Sequence, residues 1–110
     1  MTEEYQIEVP PSFIALYLDA RNRLTDSMAV VRARYEVCED LSQMLVDQAE
    51  PMRRDNDLPQ RDVMLRIHAG LSTPAAGVSP PEAEWIVRRL AELLNWTCPE
   101  LPGLPDAPSA

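Results

Sequence analysis

Apolar and polar positions recur with a helical period over most of the chain, and the longest such run, residues 27 to 52, organises the rest. At about 100° per residue, Val31, Tyr35, Cys38, Leu41, Leu45 and Ala49 fall on one side of a helix. Val30, Val37 and Met44 widen that stripe along one edge. Arg32, Glu36, Glu39, Asp40, Gln43, Asp47 and Glu50 take the opposite side. An apolar arc of that width predicts a helix on which several other elements lean.

Three further helices follow from the same reasoning. Phe13, Leu16, Tyr17 and Ala20 recur at i, i+3, i+4 and i+7 after Pro10-Pro11, which predicts a short helix over 11–20. The run FIALYL is short enough to read as a buried strand too. Residues 19–26 read as a loop, with Thr25 or Asp26 as the cap of the central helix. Pro51 cannot donate an i→i−4 hydrogen bond, so that helix is expected to stop near residue 50, leaving 53–57 as a charged loop. Asp57 is the expected cap of a third helix over 59–71, with Val63, Met64, Ile67 and Leu71 as its apolar stripe. Ser79-Pro80-Pro81-Glu82 combines a capping box with proline at the first helical position, and opens a fourth helix over 80–96. Ala83, Ile86, Val87, Leu90, Leu93 and Leu94 line its inner face.

The two ends differ from this pattern. Tyr5, Ile7 and Val9 alternate with polar residues, an extended arm that lies along the helices or pairs with another chain. Pro99, Pro102, Pro105 and Pro108 repeat every three residues, the period of polyproline II. Such a segment reads as a PxxP ligand or as a loosely docked tail, and it lacks a lysine or arginine anchor. The expected organisation is therefore an arm over 1–10, a helical domain over 11–97 and a proline-rich tail over 98–110. The fold class is all-α: a small four-helix bundle with orthogonal or mixed crossings.

At 110 residues and 45% hydrophobic content, a self-sufficient core is within reach without metals or disulfides. The net charge of −8 disfavours nucleic acid and anionic lipid as partners and permits a basic protein. The acidic, proline-interrupted start does not resemble a signal peptide, and no apolar run is long enough to span a bilayer. A cytoplasmic location is expected, with Cys38 and Cys98 reduced.

Candidate chemistry is sparse. All ten basic residues are arginine, so a lysine Schiff base and a P-loop lysine are excluded. The three glycines, Gly70, Gly77 and Gly103, form neither GxG nor GxxxxGKS/T. His68 is the sole histidine, and neither it nor the cysteines belong to a CxxC or HxxxH unit, so no metal or cofactor is expected. Glu36, Glu39 and Asp40 have the spacing of converging acid/base carboxylates but belong to the polar face. The candidate working surface is Trp85, Arg89, Glu92 and Trp96, within about 60° of one another on the fourth helix and away from Leu90. Two tryptophans flanking an arginine have the make-up of an interface anchor. Cover by the first helix or by the Tyr5–Ile7–Val9 arm is the alternative.

The stretches Ser12 to Tyr17 (SFIALY), Ala33 to Leu45 (ARYEVCEDLSQML) and Trp85 to Trp96 (WIVRRLAELLNW) resemble a family of short, largely uncharacterised proteobacterial proteins, sometimes labelled "ATPase with chaperone activity". The resemblance implies a bacterial cytosolic protein in a chaperone or protein-remodelling context. This chain carries no motif for nucleotide binding, so intrinsic ATPase activity is not expected. The expected function is a non-enzymatic interaction module, an adaptor or regulator that binds another protein or itself. The alternatives are an accessory factor of a chaperone ATPase, implied by the resemblance, and a small enzyme, should Cys38, His68 or the carboxylates meet in a pocket.

Overall fold

A computed structural model describes residues 8–101. Every regular element among them is helical: α1 (Pro11–Ile14), α2 (Met28–Asn56), α3 (Gln60–Leu71) and α4 (Pro80–Leu94), with 3₁₀ turns at Ala15–Tyr17 and Pro74–Ala76. The all-α expectation therefore holds. The chain divides into two compact units, Met1–Val37 and Cys38–Ala110, and α2 runs unbroken through the boundary.

In the first unit, α1 is far shorter than the helix expected over 11–20. After the 3₁₀ turn, Leu18 turns extended (φ −102°, ψ 138°) and forms an isolated antiparallel bridge with Leu24. The Asp19 carboxylate stops the helix, because it accepts the backbone N–H groups of Arg21 (2.8 Å) and Arg23 (3.0 Å). Asn22 completes the turn at φ 63°, a conformation asparagine tolerates better than most residues. Phe13 is fully buried, with the Tyr17 and Tyr35 rings 5.4 and 5.6 Å from its own, and Val31 is buried too. Val9 is half-buried. Tyr5 and Ile7 of the expected arm lie outside the described residues.

The cap of α2 is neither Thr25 nor Asp26. Ser27 Oγ accepts the Val30 N–H at 3.2 Å, one residue later than expected. Pro51 does not end the helix either. It forgoes one backbone bond, but its φ is helical by nature, so five more residues continue the turn. The segment expected as a charged loop is thus the last turn of α2. Asp57 is left-handed (φ 54°) and terminates α2, with the Leu58 N–H bonded back to the Arg53 carbonyl at 3.0 Å. Pro59 takes the cap position of α3 and contributes no side-chain bond there.

The second unit is built on the packing of α3 against α4. Val63, Met64, Ile67 and Leu71 are buried from α3; Ala83, Trp85, Ile86, Val87, Leu90 and Ala91 are buried from α4. Cys38 and Ala49 are the buried apolar residues of α2 in this unit, and Ser42 joins them by donating its hydroxyl to the Cys38 carbonyl at 2.9 Å. Val30, Val37 and Met44 do not extend that buried face: they are 45%, 42% and 51% exposed. The capping box forms as expected. Ser79 Oγ accepts the Glu82 N–H (3.2 Å), and the Glu82 carboxylate accepts the Ser79 N–H (2.9 Å). Glu82 is itself only 4% exposed, so both partners depend on the pairing. Replacing the serine (Ser79→Ala) should lower the unfolding free energy by about 1 kcal/mol in urea denaturation. An unchanged midpoint would show that the box is dispensable.

Candidate functional site

α4 ends in a Schellman arrangement. Asn95 is left-handed (φ 59°) and donates its N–H to the Glu92 carbonyl, while the Trp96 N–H reaches the Ala91 carbonyl at 2.8 Å. This closes the helix two residues before its expected end and sets the Trp96 backbone against the last turn. Trp96 is half-buried, and with Arg88, Ala91, Glu92, Asn95 and Cys98 it lines an open depression of about 400 Å³. Thr97, Pro99 and Glu100 border a second one of about 520 Å³, together with Gln60 and Arg61 of α3.

The four residues of the expected tryptophan edge meet different fates: Trp85, Arg89 and Glu92 lie on α4, and Trp96 follows its left-handed cap. Trp85 is only 8% exposed and belongs to the core, not to an outer flank. Arg89 is held by Glu39 of α2, fifty positions away in sequence: Nε donates to one carboxylate oxygen at 2.9 Å and Nη2 to the other at 3.0 Å. Its Nη1 reaches Glu92 at 3.2 Å, whose side chain stays in solvent. Trp96 alone keeps part of its ring on an open surface. Arg89 is thus turned toward α2 by its pair with Glu39, while Trp85 is buried.

Sequence reasoning missed the Glu39–Arg89 pair. Glu39 reads as one more carboxylate of the polar face of α2, and only the docking of α4 brings a guanidinium to it. The bidentate hydrogen bonds from Arg89 hold the Glu39 carboxyl below its usual range, and the same bonds raise Arg89. Gln43 adds a further donor to Glu39 at 2.8 Å. Glu36 and Asp40, the other two carboxylates of the candidate acid/base set, remain exposed.

The remaining candidate groups are Cys38, Cys98 and His68. Cys38 is buried and Cys98 half-buried, both as free thiols. Burial pushes the Cys98 thiol up, which lowers its thiolate fraction near neutral pH. His68 is 5% exposed on the inner face of α3. Among the described residues, no group of three or more His, Cys, Asp or Glu side chains is placed to hold a metal ion. No described helix is long and apolar enough to cross a membrane.

Comparison with known protein families, curated proteins and solved structures yields no match to this chain.

Two outcomes test the α2–α4 contact. Because Trp85 is core, Trp85→Ala should cost about 3 kcal/mol or more of stability in chemical denaturation; a midpoint within experimental error of the parent would contradict its burial. Glu39 has a lowered folded pKa, so its contribution is fully present above the unfolded value of about 4.3 and is lost as pH falls through the folded value. The parent should therefore exceed Glu39→Gln in stability by about 1 kcal/mol at pH 7, the pair being partly exposed to solvent. That difference should close as pH falls through the lowered folded value of Glu39. A difference independent of pH would point to packing rather than charge.

Proposed function

We propose that this protein is a non-enzymatic protein-interaction module, an adaptor or regulator that works through the outer face of α2. The observation that carries the reading is the exposure of Val30 and Val37, two apolar residues of α2 in the first unit. They lie seven apart on that helix and so fall on nearly the same side of it. Apolar side chains at that spacing on one helical side are the form that helical docking sites take. In the second unit, Trp85 is buried and Arg89 is held by Glu39.

Photo-crosslinking from Ala33, exposed and about 40° around the helix from Val37, tests this in a lysate of the encoding organism. A discrete cross-linked protein is expected with the parent chain and should disappear with the double substitution Val30→Gln, Val37→Gln, circular dichroism confirming that both chains are folded. The same products from both chains would remove this part of α2 as the working surface.

A further inference from the structure

We propose that the depression at the end of α4 receives one cationic side chain of a partner protein, an arginine or lysine that stacks on Trp96 and pairs with Glu92. The site lies wholly within the second unit and does not depend on the α2 face of the first. Its volume of about 400 Å³ has room for the end of one side chain, and Ala91, Glu92, Asn95 and Trp96 supply most of its lining. These residues share one electrostatic preference. α4 runs fifteen residues into this end, so its macrodipole places partial negative charge there, and its last turn holds no basic residue to offset it. The Glu92 carboxylate adds a full negative charge on a side chain that is 70% exposed. Trp96 is half-buried and follows directly on the left-handed cap, and an indole is the aromatic surface that attracts cations most strongly. Asn95, exposed beside it, adds an amide oxygen as a further acceptor.

The cations already present do not satisfy this end of the helix. Arg89 sends only Nη1 to Glu92, at 3.2 Å, and commits Nε and Nη2 to Glu39. Arg88 also lines the depression, but it donates both Nε (2.9 Å) and Nη2 (2.6 Å) to Glu84, which matches its charge. Three carboxylates, Glu39, Glu84 and Glu92, thus share two guanidinium groups, and Glu92 is the least neutralised of them. That balance disfavours an anion. A hard metal ion needs several oxygen ligands, and no such group is placed here among the described residues. A partner guanidinium or ammonium donates a charge-assisted hydrogen bond to Glu92 and meets the Trp96 ring in the same position. The net charge of −8 steers a basic protein toward this chain and works against a second copy of it.

The probe is the blocked tripeptide acetyl-Gly-Arg-Gly-amide. Its comparator carries citrulline, which keeps the shape of arginine without the charge. Both are titrated into the isotope-labelled full chain, and binding is read from the indole N–H resonance of Trp96, assigned by its loss in Trp96→Leu. The arginine peptide should shift that resonance saturably, and the citrulline peptide should bind about threefold more weakly or worse. Glu92→Gln should weaken the arginine peptide by a similar factor of about three, circular dichroism confirming its fold. Asp47→Asn, which removes an exposed carboxylate outside the depression, should leave the affinity unchanged. The inference is overturned if the arginine peptide does not move the Trp96 resonance or if citrulline binds equally well, a comparison that needs no substituted chain. It is overturned too if Glu92→Gln has no effect, or if Asp47→Asn weakens binding as much, since net charge alone then accounts for it. Sedimentation showing a dimer that Glu92→Gln dissolves would also remove it, because the occupant is then a second copy. The cross-link from α2 and this titration report on different units, so either reading can fail without the other.

Discussion

Burial of one broad face of α4 is the constraint on which the second unit depends. Ala83, Trp85, Ile86, Val87, Leu90 and Ala91 cover a broad arc of the helix circumference; α3 packs on α4, and Glu39 of α2 reaches it through Arg89. A fully buried aliphatic or aromatic side chain contributes about 1.5–3 kcal/mol, so these positions outweigh any exposed ion pair in the unit. The two helix ends keep the backbone consistent with that burial: Ser79 and Glu82 satisfy donors at the start, and the left-handed Asn95 recovers carbonyls at the finish.

The Glu39–Arg89 pair adds less energy than the core and joins α2 to α4 through side chains fifty positions apart. Met44 lies about 140° around the helix from Glu39 and is exposed, while Cys38, Ser42 and Ala49 are buried. Asp40 and Asp47 are exposed as well. Carboxylates of one helix thus have different environments, and neither environment is visible in the residues alone.

Proline and asparagine show how local chemistry was refined by context. Pro51 permits a helix as readily as it interrupts one, because its fixed φ is helical and only its missing N–H has a cost. With 29 residues in α2, one lost bond does not outweigh the rest. The turn after α1 went the other way. Its apolar spacing favours a longer helix, yet Asp19 offers the backbone two hydrogen bonds within the turn, and Asn22 accepts the left-handed conformation that the turn requires.

The sequence by itself determined the all-α class, the stripes of α3 and α4, and the capping box at Ser79. Each depends on spacing within one helix, and Val63, Met64, Ile67, Leu71, Ala83, Ile86, Val87 and Leu90 are buried as their periodicity requires. Tertiary structure alone decided which of several apolar edges became surface. The helical period of α2 admits Val30, Val37 and Met44 to its apolar arc, and that of α4 sets Trp85 at the margin of its own. The inner arcs were then chosen by what each helix met: α4 had its margin covered, taking Trp85 inward and Arg89 into the grip of Glu39, and α2 had its edge left bare. A helical wheel ranks positions by angle but carries no information about the partner helix, and contacts fifty residues apart decide where solvent begins.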